Sequence, residues 1–147
     1  MIIDLEKIYT EVALRTYYLG ELPKKENPDA SLIQTSSDTN DVLYGFAKEA
    51  VYDVVSLLAD RLDVSFSDDT DIQIEVNVEN ELRKKLLEEA INRYVYSYVL
   101  YHWLLLAFPN LAPPFFDMLQ KSLDMINTQR TFLSGKVRRR PTDLAGC

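Results

Sequence analysis

The side chain most often used for acid–base chemistry occurs once in this chain, as His102. An imidazole can act as a general base or a metal ligand, but each role needs a second group at matched geometry. The sequence offers no second histidine, and its only cysteine is Cys147. We therefore expect His102 to be a packed or hydrogen-bonded histidine of a core or an interface, as a buried imidazole requires.

Several acids near the middle of the chain could suggest a cation site: Asp60, Asp63, Asp68, Asp69 and Asp71. A calcium loop needs a glycine at its sixth position and a glutamate at its twelfth. Counted from Asp69, those positions hold Ile74 and Asn80, so the pattern fails and a solvated turn is favoured. The sequence also lacks G-x-G-x-x-G, G-x-x-x-x-G-K-[ST], G-x-S-x-G and H-E-x-x-H. It therefore predicts neither an enzyme nor a cofactor.

Aromatic residues form the third group with a possible function. Tyr94, Tyr98 and Tyr101 lie at i, i+4 and i+7, which places them on one stripe of a helix, and Trp103 follows. Such a stripe can pack against another helix with each hydroxyl satisfied, or it can form a subunit interface, where Tyr and Trp are enriched. Both interpretations stay open, and we expect at least two of Tyr98, Tyr101 and Trp103 at a helix–helix or subunit contact.

The fourth group is basic and lies near the end of the sequence. Residues 136–147 carry a net charge of +3, with Arg138, Arg139 and Arg140 in a row, and leave −10 for the other residues. The segment has little apolar mass to bury. It could bind phosphates, dock in an acidic groove of another protein, or serve only as a solubilising end.

The overall charge limits the kinds of partner. A net charge of −7 disfavours general binding to nucleic acid, because phosphates need a basic face. A single cysteine fits a reducing compartment. The apolar residues 94–108 are fewer than the roughly 20 that a membrane-spanning helix needs, and Pro109 follows them. We therefore expect a buried helix and no membrane partner.

The element that would position the aromatic residues is a long helix over residues 80–108. Its first half is amphipathic, and the apolar side chains Leu82, Leu86, Ile91 and Tyr94 are predicted to form its buried stripe. Its second half is apolar on every face. A helix of this kind is expected to pass from the surface into the centre of an assembly.

A short β structure is predicted before the long helix. Ile72, Ile74 and Val76 alternate with polar residues over residues 72–78, the period of a half-buried strand. Residues 64–66 are a second candidate strand, so the two could form a hairpin. A lone hairpin is marginal in water. We therefore expect these three side chains to lie on the helices or at a contact with another chain.

Three further helices complete the prediction. The first begins after Asp4 and ends near Gly20, the second is capped by Ser37 or Thr39 and ends near Leu62, and the last opens at Pro114. The sequence thus predicts a mainly α, four-helix domain over residues 1–135, with a hairpin at 64–78 and one long central helix. An extended basic arm, residues 136–147, follows it.

Taken in order, these elements resemble the head–tail connector (neck adaptor) family of tailed bacteriophages. Three stretches carry the resemblance: SSDTNDVLYGFAKEAVYDVVSLLADRL, IQIEVNV and ENELRKKLLEEAINRYVYSYVLYHW. In that family an acidic capped helix precedes a short extended segment, a helix that ends in aromatic residues, and an arm with arginines. The residues in comparable places are Asp41, Leu43, Ala50, Leu87, Ala90, Val95, Tyr98, Tyr101 and Arg138–Arg140.

The resemblance implies a structural protein of the virion and no enzyme. Such proteins are made in the bacterial host cytoplasm and form homo-oligomeric rings, commonly twelve-fold, between the portal and the tail or stopper proteins. DNA passes through the ring without sequence-specific binding. The expected interface residues are Tyr94, Tyr98, Tyr101, Trp103, Ile72, Ile74, Val76, Arg138, Arg139 and Arg140. The alternatives are a tail-completion or other phage ring protein, and a soluble helical protein-interaction module.

Overall fold

The computed structural model describes residues 1–21, 35, 37–66 and 71–133. The elements in chain order are β1 (Ile2–Ile3), α1 (Leu5–Glu21), α2 (Asn40–Leu58), β2 (Leu62–Phe66), β3 (Ile72–Val76), α3 (Glu81–Ala107) and α4 (Pro113–Leu133). Four helices with a small antiparallel hairpin confirm the predicted mainly α class. The predicted basic arm, residues 136–147, lies outside the described residues.

The long helix α3 begins and ends where its sequence predicts. Asn80 is its N-cap, and the side-chain Oδ1 of Asn80 accepts a hydrogen bond of 3.1 Å from the backbone N–H of Arg83. This bond satisfies one of the amides that a helix leaves without a partner in its first turn. The helix stops before Pro109, whose ring has no N–H to donate and clashes with the preceding turn.

The buried stripe in the first half of α3 differs from the predicted one. Leu87, Ile91 and Tyr94 are buried, whereas Leu86 is exposed and Leu82 is 67% exposed. The stripe therefore follows Leu87 rather than its neighbour Leu86. Adjacent leucines offer two helix faces, and packing against neighbouring helices buries only one of them.

Helix α4 packs antiparallel against α3. At one end of the pair the guanidinium of Arg83 lies 4.1 Å from the centre of the Phe132 ring, and near the other end the rings of Tyr101 and Phe116 are 5.5 Å apart. A 3-10 turn, Pro109–Leu111, reverses the chain between them, and α4 then opens at Pro113. Proline suits this position because the first turn leaves its amides unpaired. We call this reversal, residues 104–116, the elbow.

Helix α2 corrects two details of the sequence prediction. A 3-10 turn, Ser37–Thr39, precedes it, and the Thr39 side chain makes no capping hydrogen bond. The helix ends at Leu58 instead of near Leu62. Leu62 is the first residue of β2, where its buried side chain pairs across the sheet with Val76.

Among the described residues, the sheet has three strands in the order β1-β3-β2. The predicted hairpin is present, but it spans Leu62–Phe66 and Ile72–Val76, so β2 begins two residues earlier and β3 ends two residues earlier than expected. The added strand is β1, which pairs antiparallel with β3, and the Met1 amine donates to the Ile74 carbonyl oxygen at 2.7 Å. The hairpin therefore gains a third strand from the same chain, which a two-stranded ribbon needs for stability.

Helix α1 begins after Asp4, as predicted. The Oδ1 atom of Asp4 accepts a hydrogen bond of 3.0 Å from the backbone N–H of Lys7. Its buried face carries Leu5, Ile8 and Val12, which join the main core. The helix is thus held along the same face that its periodicity indicates.

Candidate interaction surface

The predicted tyrosine stripe meets two carboxylates of α2. The Tyr94 hydroxyl donates to Oδ2 of Asp53 and the Tyr98 hydroxyl donates to Oε2 of Glu49, each at 3.1 Å. Asp53 and Glu49 are four residues apart on α2, as the two tyrosines are on α3, so the pairs form two successive rungs between antiparallel helices. Tyr94 and Tyr98 therefore lie at a helix–helix contact within this chain.

The environment keeps both hydroxyl groups protonated. Burial raises the pKa of Tyr98 to about 12, and its hydrogen bond to Glu49 acts in the same direction. Burial also raises the pKa of Tyr94, with the charge of Asp53 and the hydrogen bond adding to the effect. Because a carboxylate accepts only from the protonated phenol, the two rungs persist well into the alkaline range.

His102 is a packed histidine, as the sequence predicts. Its Nδ1 lies 3.0 Å from the Tyr98 carbonyl oxygen, which can only accept, so Nδ1 carries a proton. The ring stacks on Tyr98 with centroids 3.9 Å apart and planes at 18°. Tyr101 meets the imidazole edge-on at 5.2 Å, and the Phe46 ring lies 5.8 Å away. The surroundings of His102 are aromatic, which suits packing rather than proton transfer.

Trp103 and the three strand residues are buried in the core of the chain. Trp103 belongs to the buried set of α3, and Ile72, Ile74 and Val76 face the core from β3. Their side chains pack inside this domain. A partner that approached the sheet would meet the other face, where Gln73 and its alternate neighbours are exposed.

Arg138, Arg139 and Arg140 lie outside the described residues. Their assignment as interface residues therefore stays a prediction from the sequence.

An apolar surface that the sequence did not single out lies at the elbow. Leu105, Leu106 and Phe116 are exposed there, Leu106 to 65%. We call these three side chains the elbow patch. Beside them is a groove of about 460 Å³, and its lining residues are Tyr101, Leu105, Pro109, Ala112, Pro113, Phe116 and Asp117. Asp117 is the only charged residue in this lining.

The elbow patch lies within an unusually long uncharged segment. Residues 94–116 include no Asp, Glu, Lys or Arg. Most of the segment is core, but the elbow brings part of it to the surface without a charge to hydrate it. Contiguous exposed apolar surface of this kind marks an interaction site more often than plain solvent-facing surface does.

A second apolar surface lies on the outer face of α1. Leu14, Tyr17 and Tyr18 are at i, i+3 and i+4, and all three are exposed, Tyr18 to 61%. We call them the α1 patch. The rings of Tyr17 and Tyr18 meet edge-on at 5.6 Å. This face is opposite the buried stripe of the same helix, so it has no role in the core of the chain.

Periodicity could have indicated the α1 patch but not the elbow patch. On α1, Leu14 and Tyr18 fall outside the face that Leu5, Ile8 and Val12 form at helical spacing, which is a signal readable from sequence. At the elbow every face is apolar, so no period separates buried from exposed positions. The exposed ones depend on how the turn places α4 against α3.

The described residues form neither a metal site nor a membrane-spanning helix. No three His, Cys, Asp or Glu side chains of residues 1–21, 35, 37–66 and 71–133 come together in a way that could hold a metal ion. Over the same ranges, no helix combines the length and apolar character needed to cross a membrane. What the described residues do present is apolar surface.

Comparisons of this chain with protein-family models, with curated proteins and with solved structures gave no match. Within the described residues the fold is a four-helix domain with a three-stranded sheet, and the elbow patch and the α1 patch are exposed apolar surfaces of that domain.

Proposed function

We propose that this chain is a structural ring subunit of a tailed-phage neck, a head–tail connector between portal and tail around the DNA channel. The observation that carries this proposal is the elbow patch. Leu106 and its neighbours expose apolar surface at the end of the longest helix, within an uncharged segment. Burying such surface against another subunit is favourable by about 25 cal/mol per Å².

The order of the elements supports a connector over other assemblies. An acidic helix, a short strand, a long helix with an aromatic second half and a basic arm succeed one another as in that family. The chemistry agrees with a structural role, because the single histidine is packed among aromatic rings.

The charge distribution fits a DNA conduit. Outside residues 136–147 the chain has a net charge of −10. An acidic channel wall repels phosphates at the distances over which charge is not yet screened, about 8 Å in physiological salt. DNA would therefore slide past such a wall without binding it.

Electron microscopy with mass photometry tests the proposal. We expect the purified chain, alone or with the portal protein of the same phage, to form closed rings of one stoichiometry. Genes for a portal and a major capsid protein beside its own gene would agree with this result. A chain that stays monomeric with and without the portal contradicts the proposal and favours a helical protein-interaction module.

A further inference from the structure

The elbow patch and the α1 patch face different directions at the same end of the bundle. The Phe115 ring is buried beneath the guanidinium of Arg15 on α1, 5.5 Å away. The next residue, Phe116, is exposed and packs on Tyr101. Successive residues of a helix point about 100° apart. The first turn of α4 therefore separates the two patches, and each can be occupied at the same time by a different molecule.

The two patches differ in their charges and in the residues that they expose. The elbow patch borders a mostly apolar groove, and the α1 patch offers Tyr18, an exposed aromatic side chain that also lines a groove with Leu14 and Arg15. An aromatic anchor in an apolar groove is the usual centre of a protein interface. Asp117 is the charge in the groove lining, and Arg15 lies beside Tyr18 on the surface of α1. A carboxylate and a guanidinium at matching positions can form paired, charge-assisted hydrogen bonds.

From these features we propose that subunits join head to tail, with the α1 patch of one copy seated on the elbow patch of the next. Tyr18 enters the groove, and Arg15 approaches Asp117 of the neighbouring copy. Glu11 also lines the α1 surface, one turn before Arg15, so this surface carries both signs of charge. The proposal rests on the ring function above and specifies the two surfaces that a ring would use.

The alternative contact between identical surfaces is less favourable. Two elbow patches facing each other would bring the Asp117 carboxylates of the two copies together. Two α1 patches facing each other would leave the elbow exposed. A contact between two different surfaces has no such cost, and it closes into a ring when the rotation between copies divides a full turn.

Complementation between two variants tests the pairing. Leu105→Glu disables only the elbow patch, because Leu105 lines its groove, and Tyr18→Glu disables only the α1 patch. Both positions are exposed and glutamate is a good helix former, so each variant should keep its helix content by circular dichroism. Leu82→Glu is the matched control, because Leu82 is also exposed on α3 but belongs to neither patch.

By mass photometry we expect the wild-type chain and Leu82→Glu to assemble, and each patch variant to be monomeric. An equimolar mixture of the two patch variants should form particles of two chains and no more, because it restores one intact contact. A mixture that stays monomeric overturns the pairing, as does a Tyr18→Glu chain that still assembles alone. If the wild-type chain never assembles, the ring function itself fails. If all variants assemble, the ring stands and only the pairing is wrong.

Discussion

The buried serine pair between α3 and α4 allows a prediction to be worked from geometry. The Oγ atoms of Ser97 and Ser122 are 3.2 Å apart, and Ser122 Oγ also lies 3.0 Å from the Met118 carbonyl oxygen. A carbonyl only accepts, so the Ser122 proton goes to Met118 and Ser97 must donate to Ser122. The two hydroxyls therefore form a directed chain in a buried site.

Because the hydrogen bonds run in this direction, the two alanine substitutions should cost different amounts of stability. Ser97→Ala removes one hydrogen bond but leaves Ser122 bonded to Met118, which should cost about 1 kcal/mol. Ser122→Ala leaves the Ser97 hydroxyl buried without an acceptor, which should cost about 2 kcal/mol. The double variant has no stranded polar group and should cost only about 1 kcal/mol. The two sites are thus coupled by about 2 kcal/mol.

Urea denaturation followed by circular dichroism measures all four chains, provided the m-value stays constant. Thr128→Ala is the control, since its exposed hydroxyl donates to the Asp124 carbonyl oxygen in the same i−4 geometry and should cost under about 0.5 kcal/mol. If the double variant lost as much stability as the two single variants together, the proposed direction of these hydrogen bonds would be refuted. So would a larger loss from Ser97→Ala than from Ser122→Ala.

Four further outcomes are expected. Trp103→Ala should lose about 3–5 kcal/mol of stability in urea, whereas Leu106→Ala should change it by less than about 0.5 kcal/mol, because only the first is buried. Gly45→Ala should add about 1 kcal/mol, since a Cβ there meets no atom within 4 Å and the position is inside α2. The free energy of unfolding should fall as pH rises from about 10 towards 12, because folding raises the Tyr98 pKa to about 12 and Tyr98 therefore loses its proton first in the unfolded chain. Urea titrations at several pH values should show a smaller fall for Tyr98→Phe. A chain ending at Gly135 should keep helices α1–α4 by circular dichroism yet assemble poorly by mass photometry, and assembly of the intact chain should weaken with added salt.

Sequence periodicity predicted the elements in which apolar side chains recur regularly on one face. The buried face of α1 and the alternating strand at Ile72 both follow from it, because a regular period leaves one consistent choice. The same approach chose Leu86 over Leu87 in α3, where two adjacent leucines offer two faces and a neighbouring helix decides between them. Strand β1 was missed, since two residues carry no period and Ile3 is fixed only by a distant partner.

The candidate surface was harder to predict for a related reason. The tyrosine stripe was identified, but its two rungs depend on carboxylates of α2 that are more than forty positions away in the chain. The elbow patch is apolar in sequence like the core beside it. Only the tertiary arrangement distinguishes an exposed Leu106 from a buried Leu104.

The pairing of β1 with β3 also orders events during protein synthesis. The Met1 amine and its partner Ile74 are separated by 73 residues, which takes a ribosome roughly 4–15 s to make. Strand β3 can pair at once with β2 through a local hairpin, since short loops close first. Strand β1 is therefore synthesised before β3 but joins the sheet after β2. During those seconds the apolar face of α1 also lacks α3, a helix that it packs against, so the nascent chain passes through a period in which a chaperone could bind α1.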